Sequence, residues 1–381
     1  SGVQSKMRDL QEQDGQERND FGRKAKMAMP IMRQLLRKAQ RHPLQVAKVF
    51  VGWLLGKASQ SELGMAARTF RDKTTAFWDL WPIIPICDEI HHVVYMDGIW
   101  LTRKCIILIA CTEDHVIGCH LAQSENSKDW ACLMARIAAP GILVCDGGGG
   151  IEKARRAAWP NTRVQRCTFH AFCQVKRCTT TRPKTQAGVD LYAIAKDLMR
   201  IASNQEAAEW MARFHRWCSD YEGFLKERAD DGRRFKHERL RKAKRGLVAL
   251  CNAGTLFTYL EEDLVAGGPV PSMSNKIENL NGRIRRMLSM HRGMSIDHRV
   301  KAVFWLCYME AEMPKSFAWM LREFPDDDQI REWRRLAAKE RGDESGAPAR
   351  WGEGLVGLSS IAARLIHIPP IKLYTLFCLY A

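Results

Sequence analysis

Residues Ile142–Ala154 read ILVCDGGGGIEKA, and residues His91–Leu101 read HHVVYMDGIWL. Each is a short apolar or β-branched run that reaches an aspartate followed by glycine, the pattern of a buried strand with a turn behind it. The four glycines invite a comparison with phosphate loops. A Walker loop needs Gly, four residues, then Gly-Lys-Ser/Thr. Counting from Gly147 or Gly148 puts Glu152 and Lys153 where the second glycine belongs. A dinucleotide fingerprint beginning at Gly147 meets Glu152 in the place of its last glycine, and one beginning at Gly148 meets Lys153. A nucleotide loop is therefore excluded, and the aspartates carry the information. If the two strands are parallel neighbours, Asp97 and Asp146 end side by side at one sheet edge. Paired carboxylates repel unless a cation neutralises them, and hard divalent ions take oxygen ligands of this kind. The plainer reading is that each Asp-Gly is a turn after a strand.

Working outward, the order from His91 is β-β-β-α-β-α-β. KCIILIACT and HVIGCHLAQ follow the first strand across a Glu113-Asp114 turn. SKDWACLMARIAA has helical spacing, Gly150–Ala158 reads as helix and TRVQRC as strand. Three strands followed by alternation predict a mixed α/β sheet flanked by helices. Residues 186–266 carry long helical patterns. Within them Lys226–Arg245 holds ten Lys/Arg against four acids, either a solvated face or a phosphate-contacting one. Upstream, Ser59 and Glu62 form a capping-box pattern. Asp72 can cap a second short helix with Ala76, Phe77 and Leu80 on its apolar face. Two short helices with a tight connection fit a helix-turn-helix or any helical hairpin. In the first case Arg71, Lys73, Thr74 and Thr75 head the recognition helix.

The chain has 381 residues, is 46% hydrophobic and carries a formal charge of +16, which points to a polyanionic partner, nucleic acid first. Its thirteen cysteines form no C-x-x-C pair, and several sit in apolar runs as small hydrophobes, as expected in a reducing cytoplasm. The apolar stretch Ser359–Ala381 contains Arg364, His367, Pro369, Pro370 and Lys372, so no membrane span is expected there.

A third carboxylate stands in NKIENLNGRIRRMLSMH. Ile277, Leu280, Ile284 and Leu288 form the buried stripe of this helix, and Glu278 lies at its edge with Asn281 and Arg285 on its side. Asn275 as N-cap with Glu278 as its capping-box partner is the alternative. Arg283, Arg286 and Arg292 add positive charge nearby.

With these residues in place, the sequence resembles the Asp-Asp-Glu transposases with a ribonuclease-H-like fold, and within them the bacterial insertion-sequence transposases of the Mutator-related group. The resemblance is carried by VVYMDGIWL, ILVCDGGGGIEKA, VQRCTFHAF and SNKIENLNGRIRRMLSMHRGMS and extends from about residue 42 to 312. It implies Asp97, Asp146 and Glu278 as catalytic residues holding two Mg²⁺ (or Mn²⁺) ions. It identifies Cys167 and His170 with the group's C-x2-H motif, for which structural support, DNA contact and metal binding are all open. Arg71, Lys73, Thr74, Thr75, Arg283, Arg285, Arg286 and Arg292 are the implied DNA-binding residues. The expected organisation is a polar segment (1–40), a helical DNA-binding region (41–86) and the first part of the catalytic core (87–185). A helical insertion (186–268), the C-terminal helices of the core (269–342) and a linker with an atypical tail (343–381) complete it. The expected partners are double-stranded DNA, as terminal inverted repeats and target, and a second copy of the chain, in the bacterial cytoplasm at the nucleoid. The expected activity is metal-dependent DNA cleavage and strand transfer. A decayed or repurposed DNA-binding protein and a structure-specific nuclease are the alternatives. No cysteine cluster of the kind that opens many relatives occurs here, and Ser359–Ala381 departs from the group's usual ending.

Overall fold

The computed structural model describes residues 43–56, 60–230 and 232–340. The polar segment 1–40, Ser59 and the tail 343–381 lie outside them. Contacts divide the described residues into two units. One combines those up to Ile84 with those from Gly282 onward, and the other is Pro85–Asn281.

The second unit holds a five-stranded sheet in the order β3-β2-β1-β4-β5. The strands are β1 (Val93–Thr102), β2 (Cys105–Cys111), β3 (Val116–Ala122), β4 (Ile142–Cys145) and β5 (Arg163–Arg166). β1, β2 and β3 pair antiparallel, while β4 runs parallel to both β1 and β5. The mixed sheet expected from the strand order is present. The all-apolar β2 is buried along nearly its whole length, and such a continuous run needs cover on both faces. Helix α3 (Ser127–Met134) and helix α4 (Gly149–Ala158) supply cover through Trp130, Leu133, Met134, Ile151 and Ala154. Asn126 caps α3 by accepting from the amides of Lys128 and Asp129, both at 2.9 Å. The helix stops at Met134, short of the expected Ala139. Beyond it the backbone of Arg136 and Ala138 pairs with Cys87 instead.

Behind β5 comes helix α5 (Thr168–Thr179), whose Ala171, Phe172 and Val175 seed a second core. Around it pack α6 (Gln186–Asp197), α7 (Asn204–Asp220), the single turn α8 (Glu222–Lys226) and α9 (Glu238–Asn252). Two buried indoles are satisfied by backbone carbonyls: Trp210 donates to Ile194 at 2.7 Å and Trp217 to Ala187 at 3.0 Å. The basic stretch Lys226–Arg245 spends part of its charge internally. Arg228 and Arg241 stack on the Phe235 ring, 3.8 and 3.5 Å from its centroid, and Lys226, Lys236 and Arg245 pair with Glu222, Glu227 and Glu238. The short α10 (Glu262–Val265) leads to α11 (Asn275–Met290).

The first unit is built on α1 (Pro43–Leu55), a 3-10 turn (Gln60–Leu63) and α2 (Ala67–Asp79), with α12 (Ile296–Met309), α13 (Phe317–Glu323) and α14 (Asp327–Glu340). Phe50 stacks on Phe77 at 5.4 Å and meets Trp78 and Trp305 edge-on. Lys301 is buried there, with its ammonium 2.7 Å from both Asp327 oxygens and donating to the Trp78 carbonyl. The expected pair of short capped helices differs from what forms. Asp72 lies inside α2, one continuous helix preceded by Ala66 with no side-chain cap. Alanine and alternating polar residues propagate a helix through Asp72, so no break is needed. Among the described residues no helix is long and apolar enough to cross a membrane.

Candidate active site

The parallel ladder between β1 and β4 ends at the pair Met96–Cys145. The next residues are Asp97 and Asp146, so register alone brings the two carboxylates to neighbouring positions. The reading of Asp97 as a strand end needs correcting. β1 continues to Thr102 while paired with β2, Asp97 opposite Ile109 and Gly98 opposite Leu108. It is the parallel ladder that stops, not the strand.

Both carboxylates are held by short local bonds. The Gly98 amide donates to Asp97 Oδ1 at 2.9 Å and the Gly148 amide to Asp146 Oδ1 at 3.0 Å. Asp97 Oδ2 accepts from the side-chain amide of Asn281 at 2.7 Å. Asn281 is fully buried on α11, three residues after Glu278 and so on the same side of the helix. Burial pushes Asp97 up to about 7. The Gly98 amide opposes this, while the Glu278 and Asp146 charges add to it. The three predicted acids are thus close enough to act on one another. Asn275 is the first residue of α11, and the Glu278 amide closes onto Ser274, so the capping-box alternative with Asn275 as cap does not form.

The C-x2-H pair lies against the same helix. Cys167, buried at the start of α5, accepts from the Ser274 amide at 3.4 Å, and the Thr168 amide donates to Ser272 O at 3.0 Å. His170 Nε2 stands 3.2 Å from Glu278 Oε1. Contact with Cys167 and with Glu278 outweighs burial and pushes His170 up to about 10. Burial raises the Cys167 thiol, but its contacts with His170 and Ser274 prevail and the net shift is downward. The β5–α5 junction therefore grips the segment that carries Glu278.

Sequence reasoning missed Glu125. A Cβ added to Gly98 would lie 2.7 Å from Glu125 Oε1, so the glycine after Asp97 makes room for a fourth acid. Burial, then the Asp146 charge, raises the Glu125 carboxyl, opposed by its bond with Trp100. Trp100 is exposed on β1. The four glycines also divide their work. Gly147 has φ +75° and lies against the Arg166 guanidinium, while a Cβ at Gly150 would stand 2.0 Å from the Glu125 carbonyl. Only Gly148 and Gly149 leave the edge open.

The donor chemistry of Asp97, Asp146 and Glu278 suits a hard divalent ion, and the raised Asp97 is what such an ion would relieve. As they stand the side chains do not close on one point. Among the described residues no three or more His, Cys, Asp or Glu groups are placed to hold a metal. Each acid instead has a protein partner: Asn281, the Gly148 amide or His170.

The predicted DNA-contacting residues separate on inspection. Arg71 and Thr75 are exposed on α2 and Lys73 is half-buried. Thr74 is buried and donates to the Phe70 carbonyl at 2.8 Å, which removes it from any nucleic-acid contact, because the apolar face of α2 includes its position. Arg283 forms a two-pronged pair with Glu310, one bond at 2.8 Å. Arg285, Arg286 and Arg292 are exposed.

Residues 56–232 match the family model described as Transposase, Mutator family. The matched segment is similar to the Mutator family of transposases. The match includes Asp97, Asp146, Cys167 and His170 and ends before Glu278. A probable transposase for an insertion sequence element from Corynebacterium diphtheriae is 26% identical over 147 residues, 33% of this chain and 43% of that protein. The transposase for insertion sequence element IS406 from Burkholderia multivorans is 27% identical over 31% of this chain and 32% of its own. The corresponding protein for IS905 from Lactococcus lactis is 29% identical over 21% and 25%. The chain therefore spans less than half the length of each of these relatives.

Proposed function

We propose that this chain is a Mutator-family transposase that cuts and joins DNA at insertion-sequence ends, on a ribonuclease-H-like core. The observation that carries the reading is the register of β1 and β4, which sets Asp97 beside Asp146, together with the electrical coupling of Asp97 to Glu278. Asp97, Asp146 and Glu278 would hold two Mg²⁺ or Mn²⁺ ions. Such ions, if bound there, would supply Lewis-acid stabilisation of the charge that develops in phosphoryl transfer. The chain's own residues set the geometry. Asn281 and the Gly98 amide fix both oxygens of Asp97, the Gly148 amide fixes Asp146, and His170 holds Glu278. The nucleophile is water or a DNA 3′-hydroxyl, and no covalent protein intermediate is formed. Arg71, Lys73, Thr75, Arg285, Arg286 and Arg292 give phosphate contacts, so binding weakens with salt. The DNA partners are terminal repeats and target, engaged by two copies of the chain in the bacterial cytoplasm.

The test is Asp146→Asn on element-end DNA with Mg²⁺ or Mn²⁺. Cleavage and joining vanish while DNA binding persists; survival of either reaction refutes the triad. One observation favours a second reading, DNA binding without catalysis: the acids do not converge on one point. Intact protein that binds element ends and never cuts them decides for that reading.

A further inference from the structure

Beside the carboxylates lies a group of donors that they do not use. Arg166 ends β5 and is 4% exposed, yet its Nε and Nη1 have no hydrogen-bond acceptor. No acid of the described residues forms an ion pair with it. A guanidinium keeps its proton at any working pH, so the charge is buried with open donors, a costly arrangement until an anion completes it. The side chain is aimed at the glycine loop: a Cβ at Gly147 would stand 1.9 Å from Nη1 and 2.7 Å from Cζ. Directly after this point α4 begins. Gly148 enters it at φ −57° and ψ 146° with no side-chain cap. Glu152 is the first amide to close onto the helix, at Gly148 O, 3.2 Å, so the amides of Gly149, Gly150 and Ile151 lack intrahelical partners. A Cβ at Gly149 would meet nothing within 4 Å, so the approach is clear.

We propose that Arg166 and the first turn of α4 together bind one phosphate of a nucleic-acid backbone, next to Asp146. The inference rests on the DNA-processing function above and gives it a handhold on the substrate. One non-bridging oxygen faces the guanidinium and the other the positive end of the helix. A phosphodiester suits the site better than a nucleotide, because Glu152 and Ala154 stand on either side of Lys153 where phosphate loops carry the glycine and the hydroxyl that hold a triphosphate and its ion. With the phosphate fixed here, the neighbouring one is presented to Asp146 and Asp97 in a defined register.

The test is binding of a labelled DNA duplex to the full chain, followed by fluorescence anisotropy across a salt series. Arg166→Met and Gly149→Glu each weaken binding about tenfold and flatten the log–log salt slope by about 0.9, the value of one phosphate contact. The double variant loses little more than either single one, because both remove the same contact. Gly149→Glu does not lower the Tm, since its side chain enters open space and its charge suits a helix start. Should Arg166→Met fail to fold, Gly149→Glu decides alone. Unchanged slopes, or losses that add in full, overturn the phosphate site and leave the proposed function standing. A wild-type chain that binds no duplex overturns both.

Discussion

Asp97→Asn should stabilise the protein at neutral pH while abolishing the proposed chemistry. Burial, Glu278 and Asp146 shift the Asp97 carboxyl from an ordinary 3.8 to about 7. A group whose pKa is raised by folding binds its proton more tightly in the native state, so its ionisation works against the fold. Below pH 4 both states are protonated and Asp97 makes no difference. Between pH 4 and 7 the unfolded chain releases the proton first, and stability falls as pH rises. Above pH 7 both states are ionised and the penalty is complete. A shift of this size corresponds to about 4 kcal/mol at most, and coupling to two further acids reduces what one substitution recovers to about 2 kcal/mol. Asparagine keeps the shape, and Asn281 offers a ready partner, because its own Oδ1 is buried without a hydrogen bond. The new amide can donate to that oxygen once the Asn281 side-chain amide reverses, presenting its oxygen where its nitrogen now faces residue 97. Urea unfolding of the metal-free protein, repeated from pH 4 to pH 8, reads the effect. The variant should match wild type at pH 4, gain through pH 7 and hold that gain at pH 8. Equal or lower stability of Asp97→Asn at pH 8 would refute the electrostatic reasoning. Added Mn²⁺ should then stabilise wild type and leave the variant unmoved.

Three further outcomes are expected. Asp327→Ala, which strands the buried Lys301 ammonium, should cost about 3–5 kcal/mol, more than Lys301→Met, because the half-exposed Asp327 can turn to water; chemical denaturation of both variants gives the order. Gly147→Ala should destabilise by more than about 2 kcal/mol, since it combines positive φ with a clash against Arg166. Gly149→Ala should instead gain about 0.5–1 kcal/mol, and thermal melts compare the two. His170→Ala should weaken Mn²⁺ binding by about 10–100-fold, read by calorimetry, with His170→Gln recovering part of the loss because its amide can still reach Glu278.

Where the sequence was legible, a single local rule governed the outcome. The β1–β4 edge follows from two apolar runs that each reach an Asp-Gly, which pairs Asp97 with Asp146 once the strands are parallel neighbours. α11 and its buried stripe followed from spacing alone, and Ile277, Leu280, Ile284 and Leu288 are all buried. Glu125 was illegible because its approach to Gly98 is made by the loop after β3, a contact between segments far apart in the chain. Thr74 was misread for a related reason. Its polarity suggested a surface, but the face of α2 that it shares with Phe70 and Phe77 is buried, and a hydroxyl can sit there by bonding to the Phe70 carbonyl. Asp72 was read as a cap because capping residues are also tolerated inside helices, and composition does not separate the two uses.

The charges around β4 set an order for the proposed reaction. Asp97, Asp146, Glu278 and Glu125 gather at one end, where burial and mutual repulsion raise at least Asp97 and Glu125. A DNA phosphate brought to that cluster without cations would meet repulsion from every side. Arg166 lies against Gly147, directly after Asp146, and with the first α4 amides it offers the opposite field. The backbone can therefore be seated at the glycine loop before the carboxylates are neutralised, while the scissile phosphate must wait for that neutralisation. DNA affinity should then depend on Arg166 whether or not Mg²⁺ is present, and on Asp97 only in its presence. Anisotropy titrations of Arg166→Met and Asp97→Asn, with the ion and with chelator, separate these cases. Dependence on Arg166 that appears only with Mg²⁺ would place both groups in one step and remove the order.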